Sequence, residues 1–459
     1  MNTTIKQTII GFLSDTESLV NRVNELPYAT AIELYDLLDV AAKSVTENIK
    51  TLNAELRAEI CTRQDIILER IIDLISIEKE FIGKPTGIYT PAVQGYRRWT
   101  NTELLKDKCL TGYMLSKVID SKSIMYFCTN PSDYPYLTSL PDLDILYHNV
   151  PSGTPDIYYE HLENEYHKMD VLILHGMYEQ TIDFLNAYRT FRPDGKVYCG
   201  LDMNSYWMSN INWEHPKAKR FAKQCDIIAT SCTSLRDLLN KNPNVNFPCR
   251  WLPNGFYNSG NNIVKADPDN KKNVILTVGR IGTAQKNNQE LLIAFAKISN
   301  VLQGWTLRLV GNINNDFQPF INQYFSQRPD LKKRVIFTGA IVNKDELYNE
   351  YAKAKVFALT SQFEGGTPNV YAEALFHGCM FVTSDIDAAD DITGHNSLGI
   401  KYNRGDVDAL ASALIKLSRK SRRSAFQEHI PKALEYAHKY FDWYRNSKKL
   451  AYMLFKTKD

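Results

Sequence analysis

Apolar positions in the first eighty residues recur at steps of three and four. Val45, Ile49, Leu52, Leu56 and Ile60 keep that step, and Ile67, Ile71, Leu74 and Ile75 continue it. This is the period of an amphipathic helix. Pro27 and the break near Thr30 divide the segment, so at least two helices are predicted. From Gly83 onward the pattern changes to short apolar runs alternating with helical stretches. Ile124–Cys128, Ile145–Tyr147, Val171–Leu174, Val197–Cys199 and Ile227–Thr230 form one series of predicted strands. Val274–Val278, Thr306–Val310, Val335–Thr338, Val356–Thr360 and Phe381–Thr383 form a second. Apolar strands separated by helices imply parallel sheets covered on both faces.

The two series divide around Pro253–Asp269. The overlapping stretch Asn258–Lys272 is rich in Asn, Asp, Gly, Pro and Lys and reads as a linker. The expected fold class is α/β, with two doubly wound Rossmann-like domains facing across a cleft and a helical extension before them. The expected boundaries are 1–82 for the extension, 83–258 and 259–435 for the two domains, and 436–459 for a last helix. Ligands of such sheets sit outside the carboxyl ends of the strands, so the site is expected in the cleft.

Composition narrows the function classes. The chain has 459 residues, 44% hydrophobic and 23% charged, with a net charge of +2. Such a chain is neither disordered nor collagenous, and its charge balance gives no support for a nucleic-acid partner. None of the eight cysteines forms C-x-x-C, so they read as reduced, mostly buried thiols. Met1 to Gly11 lacks the pattern of a secretory signal, and no apolar run is long enough to span a membrane, so a cytoplasmic protein is expected. Met1 to Glu80 carries 8 basic and 14 acidic residues, net −6, a poor match to anionic lipid. Its first reading is a helical hairpin packed on its own body. The second is a homo-oligomer contact or a dock for an acceptor protein.

Two constellations could carry chemistry. The first is Thr277-Val-Gly-Arg-Ile-Gly-Thr-Ala-Gln-Lys286-Asn287, where a strand ends, a glycine-containing loop follows and a helix begins near Gln289. Free N–H groups at the helix start, with Arg280 and Lys286, suit a diphosphate. Taken alone, surface cations beside a turn explain the motif equally well. The second runs from Ser361 through Glu364-Gly-Gly-Thr-Pro-Asn-Val-Tyr-Ala-Glu373 to Gly378. Gly365 and Gly366 admit close backbone approach, Pro368 suits a first helical turn, and Gly378 suits a helix end. A carboxylate can accept hydrogen bonds from two vicinal hydroxyls of a sugar. A lone glutamate is more often a solvated surface charge, and the placement around a Gly-rich turn after a strand is what distinguishes Glu364 and Glu373.

Together these segments resemble the donor-binding half of GT-B glycosyltransferases, specifically glycosyltransferase family 4. That family carries a strand followed by G-R-L and a downstream Lys, then an E-x7-E motif after an F-E-G turn. Leu252-Pro-Asn-Gly255 resembles its I-P-N-G segment, and Val335-Ile-Phe-Thr-Gly339, Glu346-Leu-Tyr, Tyr351-Ala-Lys-Ala354 and Gly405-Asp-Val-Asp-Ala-Leu410 also fit. Val171-Leu-Ile-Leu-His175-Gly resembles the strand ending in a cleft-facing His, and Phe441-Asp-Trp443 with the apolar helix after it resembles the family's final helix, which implies a return of 436–459 to the first domain. Eight residues rather than seven separate Glu364 from Glu373, and five rather than four separate Arg280 from Lys286. Gly83 to Gly95 is the nearest match to the family's Gly-rich acceptor loop.

The resemblance implies roles. Arg280 and Lys286 would bind the donor diphosphate and offset charge on the leaving group. Glu364, with the backbone of Gly365, Gly366 and Thr367, would hold the transferred sugar. Pro368 would open the helix, and Asn369 and Val370 would lend N–H groups to the phosphates. Glu373 would hold the ribose, Gly339, Ala340 and Ile341 would line the base pocket, and His175 would approach the sugar. Retention of anomeric configuration, a hexose or N-acetylhexosamine from a nucleotide-sugar donor (UDP first), and a glycan, lipid-linked or protein acceptor are implied. No metal or other cofactor is expected. The D-x-D patterns Asp142-Leu-Asp144 and Asp385-Ile-Asp387 arise by chance among 52 acids. Lys401 to Asp459 holds 14 basic and 6 acidic residues, net +8. Its run Lys416–Arg423 reads first as a solvated helix face and second as peripheral contact with an anionic membrane holding the acceptor. The alternatives are a catalytically inactive partner protein of this fold and a nucleotide-sugar epimerase.

Overall fold

Each apolar run read as a buried strand is a parallel strand in the computed structural model, which describes residues 16–47, 51–75, 81, 85–91, 101–127, 134–147, 155–260, 262 and 265–456. The chain divides into two units. One comprises Met1–Pro253 with Trp443–Asp459, the other Asn254–Asp442.

In the first unit, α1 (Thr16–Asn24), α2 (Tyr28–Glu47) and α3 (Thr51–Leu74) precede the sheet. Its strands are β1 (Gly87–Pro91), β2 (Lys122–Phe127), β3 (Leu143–Tyr147), β4 (Val171–His175), β5 (Lys196–Gly200), β6 (Ile227–Thr230) and β7 (Cys249–Trp251). They lie in the order β3-β2-β1-β4-β5-β6-β7. Helices α4 (Asp107–Ile119), α5 (Pro155–Glu165), α6 (Glu179–Phe191), α7 (Ser205–Asn210), α8 (Pro216–Gln224) and α9 (Thr233–Lys241) connect them. Strand order reverses between β1 and β4, which makes their carboxyl ends the switch point of this sheet.

The early helices share one core with the sheet. Tyr35, Leu38 and Ala42 of α2 and Ile60, Ile67 and Ile71 of α3 pack in a cluster with Ile88, Val171 and Ile173 of the strands. Arg57 fixes the geometry. Fully buried, it donates from Nε to Asn240 O (2.9 Å), from Nη1 to Val245 O (2.6 Å), and from Nη2 to Leu239 O (3.2 Å) and Asn242 O (2.8 Å). Those carbonyls include the end of α9, where a cation also meets the negative end of the helix dipole.

The second unit repeats the topology. Its strands are β8 (Lys272–Val278), β9 (Thr306–Val310), β10 (Val335–Gly339), β11 (Ala354–Leu359), β12 (Met380–Ser384) and β13 (Gly399–Tyr402). Their order is β10-β9-β8-β11-β12-β13. The helices are α10 (Asn288–Ile298), α11 (Gln318–Gln327), α12 (Lys344–Lys353), α13 (Asn369–Phe376), α14 (Ala389–Ile392), α15 (Val407–Lys420) and α16 (Arg423–Tyr440). The last helix, α17 (Trp443–Phe455), belongs to the first unit. There Arg445 and Lys449 ion-pair with Glu69 of α3, Arg445 at 2.8 Å. No described helix is long and apolar enough to cross a membrane.

A buried lysine locks the helix ends of the second unit. Lys271 Nζ donates to Ala354 O (2.7 Å) and His377 O (2.6 Å), so one ammonium serves the ends of α12 and α13. Above it the His377 ring bonds through Nδ1 to Glu373 O (2.6 Å) and stacks on Tyr348 and Tyr351. Burial, aided by Lys271, lowers the His377 pKa from 6.5 to about 4, so the ring is neutral in the folded protein.

Two outcomes are expected. Arg57→Met strands four carbonyls and should cost on the order of 3 kcal/mol, read as a lower urea midpoint, with Arg57→Lys recovering part of the loss. For His377 the unfolded chain takes up a proton near pH 6.5 that the folded chain refuses until about pH 4. Its stabilisation is therefore complete above that window and lost as pH falls through it. The wild-type urea midpoint should drop more steeply between pH 7 and 5 than that of His377→Asn, which keeps a donor but cannot titrate.

Candidate functional site

The switch point of the second sheet lies between β8 and β11, and both sequence constellations begin there. Beyond β8, Ile281 is buried and bridges to Ile313, so pairing continues past the strand. Gly282 follows at φ +82°, where a Cβ would lie 2.2 Å from the Phe317 ring. Any other residue would push the loop off β9's exit. The Thr283 hydroxyl accepts from Lys286 N (3.3 Å), and Asn287, left-handed at φ 44°, opens α10.

The exit of β11 is stitched to this loop. The Thr360 hydroxyl donates to Lys286 O (3.0 Å) and Asn287 O (3.1 Å), and Gln362 N donates to Gln285 O (2.7 Å). These backbone ties hold the side chains in one network. Lys286 Nζ ion-pairs with Glu364 Oε1, and the two side chains are only 14% and 10% exposed. Gln285 Nε2 donates to Phe363 O (3.1 Å) and lies 3.4 Å from Glu364 Oε2. Arg280, in solvent, donates from Nη2 to Gln285 Oε1 (2.5 Å). Arg280, Lys286 and Glu364 are thus brought together.

Thr367 is buried and its carbonyl accepts from Asn254 Nδ2 (2.8 Å). Gly366 takes φ +112°, a conformation L side chains rarely adopt. Pro368 differs from expectation by one position. It is the N-cap, with extended backbone at ψ 138°, and α13 starts at Asn369. Asn369 and Val370 then form the first turn of α13, where a helix turns its N–H groups outward. Gly378 ends the helix at φ +68°, and a Cβ there would meet Ile430 at 2.7 Å.

Glu373 points from α13 to a different pair of groups. Tyr351 O–H donates to its Oε2 (2.6 Å), and Lys344 Nζ lies 3.8 Å from Oε1. Gly339 ends β10 at φ +72°, its carbonyl accepting from Gly311 N (2.9 Å). Ala340 beyond it is exposed and Ile341 half-buried.

His175 belongs to the first unit and ends β4, at that sheet's own switch point. Burial lowers its pKa from 6.5 to about 4, against the opposing pull of Asp107 at the start of α4. The imidazole is therefore neutral near pH 7. The Gly83–Gly95 reading needs correction. Gly87–Pro91 is the buried central strand β1, not a loop, and residues 83, 84 and 92–95 lie outside the described residues. The D-x-D aspartates have other partners, Asp142 with Lys117 (2.9 Å) and Asp385 with Arg404 (2.8 Å). In the basic run, Arg423 pairs with Asp269, and Lys416, Arg419, Lys420 and Arg422 are exposed.

Sequence reasoning missed Gln285, Thr360 and Tyr351. The first two sit within or beside the quoted motifs, where a polar residue at a strand exit is the available signal. Tyr351 opens a quoted segment too, but helix periodicity does not say that it faces a glutamate on α13.

Comparison with known proteins follows the same division. Residues 272–420 match the family model for glycosyl transferases group 1. The structure of Anabaena Alr3699/HepE in complex with UDP aligns at TM-score 0.59 and 14% identity, covering 80% of this chain and 98% of that one. The same protein in complex with UDP-glucose aligns at 0.58. A glycosyltransferase from Rickettsia africae ESF-5 aligns at 0.58 and 12% identity, covering 80% and 97%. Sucrose-phosphate synthase from Thermosynechococcus elongatus aligns at 0.54 and 15% identity, also covering 80% and 97%. The sequence matches none of the curated proteins compared with it. The chain thus has the fold of the GT-B glycosyltransferases, and its residues 272–420 match the glycosyl transferases of group 1.

Proposed function

We propose that this protein is a retaining glycosyltransferase that moves a hexose or N-acetylhexosamine from UDP to an acceptor hydroxyl. The observation that carries the reading is the Arg280–Gln285–Glu364–Lys286 network at the switch point of the second sheet. It presents two cations and one carboxylate beside the first turn of α13. A nucleotide sugar needs that combination: positive charge for the diphosphate, and an acceptor of hydrogen bonds for sugar hydroxyls. The UDP and UDP-glucose bound to Alr3699/HepE support the choice of base.

In this reading Lys286 and Arg280 neutralise the diphosphate as the C1–O bond to it breaks. Charge developing on the leaving oxygens meets groups already in place, which is where enzymes gain most. The N–H groups of Asn369 and Val370 add to that field. Glu364 shares its carboxylate between Lys286 and the sugar, with Gly365, Gly366 and Thr367 lining the same turn. Glu373, held by Tyr351, takes the ribose hydroxyls, and Ala340 and Ile341 flank the base. The acceptor oxygen attacks the face the diphosphate leaves, and the departing phosphate oxygen takes the acceptor's proton. The new C1–O bond forms with configuration retained. The reading assigns the positive charge at the diphosphate to side chains and calls for no metal.

The test is a panel of UDP-, GDP- and ADP-sugars with detection of released nucleotide. One UDP-sugar should be turned over, and Arg280→Ala and Glu364→Gln should each lower kcat/KM by roughly a hundred-fold. Free UDP should still bind Glu364→Gln in calorimetry. Binding of UDP without turnover of any donor, with or without added acceptor sugars, would favour the inactive partner protein instead.

A further inference from the structure

Two aromatic side chains stand in solvent at the carboxyl edge of the first unit's sheet. Tyr206 and Trp207 lie in α7, on the segment leaving β5, and are 67% and 60% exposed. Their rings meet edge to face, with centroids 5.4 Å apart at 78°. Burying such rings is favourable, so two adjacent ones left in water are unusual.

The helix beneath them is pinned. Met208, next to Trp207, is buried, and the Asn204 side chain accepts from Trp207 N (3.0 Å). Trp213 Nε1 donates to Met208 O (3.1 Å), and Asn210 Nδ2 donates to Tyr206 O (2.7 Å). The rings are held outward by this anchoring. The location is equally fixed. Gly200, the last residue of β5, is the register partner of His175 and accepts from Gly176 N (2.7 Å). Tyr178 O–H reaches Asp202 O (3.4 Å), joining the exits of β4 and β5. The aromatic pair therefore stands at the edge of the sheet where ligands of parallel sheets bind.

We infer that Tyr206 and Trp207 form a stacking platform for a pyranose ring, so that the acceptor is a saccharide. The inference rests on the transferase reading for the word acceptor, and on the first unit alone for its geometry. A pyranose offers a face of C–H bonds to an aromatic ring and a rim of hydroxyls to polar neighbours. Ser209, Asn210 and Asn212, exposed on the same segment, are the polar side chains available to those hydroxyls. A membrane-inserting helix would instead carry a longer continuous apolar face beside the rings. Here Met208 is buried and Ile211 half-buried. The exposed cations Lys217, Arg220 and Lys223 of α8 make an anionic vesicle the competing occupant.

The experiment is saturation-transfer NMR on the full chain with maltotetraose, cellotetraose and chitotetraose. Parallel arms are calorimetry with UDP and co-sedimentation with phosphatidylglycerol vesicles. At least one tetrasaccharide should bind the wild type. Trp207→Ala should weaken that binding roughly ten-fold, Trp207→Phe should retain most of it, and UDP affinity should be unchanged in both. The platform is overturned if no tetrasaccharide binds, if Trp207→Ala binds as well as wild type, or if that variant loses vesicles and keeps the saccharide. Saccharide binding that depends on Trp207 in a protein unable to bind UDP supports the platform and removes the transferase reading.

Discussion

A lysine and a glutamate 78 positions apart hold the candidate donor site in shape. Lys286 and Glu364 are both largely withdrawn from water, and each would be costly there alone. Their pairing decides how the loop after β8 meets the loop after β11. Thr360 and Gln362 add backbone bonds to the same junction. Gln285 carries the contact outward to Arg280. A ligand entering this site meets charges already balanced against one another, so it redistributes hydrogen bonds rather than having to desolvate isolated ions. The preorganisation is electrostatic as well as geometric.

Glu373 has a separate support, and the separation is informative. It rests on Tyr351, whose helix α12 ends on Lys271, as does α13. The two carboxylates of one motif are therefore braced from opposite sides, Glu364 by the β8 loop and Glu373 by the helix ends. Nine positions of sequence span two mechanical neighbourhoods.

The parallel sheets were legible because buried strands between helices are apolar on both faces, as in Ile227–Thr230 and Thr306–Val310, whose observed limits match the apolar runs. The strands that escaped notice break that rule for physical reasons. β1 holds Gly87 and Pro91, β7 is three residues with a buried arginine at its centre, and β13 is only four residues with an exposed lysine inside it. Arg280, Lys286, Glu364 and Glu373 were singled out from strand-loop-helix order and the family resemblance. Their pairing was not, because a side chain's partner across a sheet depends on register and rotamer rather than spacing. The departure in loop length between Arg280 and Lys286 leaves the two still linked through Gln285.

The first unit is built from two separated stretches of chain. Leu450 and Tyr452 of α17 complete the core that Tyr35, Ile67 and Ile71 begin. Glu69 stays without two of its cations until Arg445 and Lys449 arrive. During synthesis, then, the second unit can close while the first still waits for its last helix. Order of emergence and order of completion are reversed. The nascent chain carries an unfinished apolar surface for the whole time that residues 254–442 are being made, and that interval is when it most needs a chaperone.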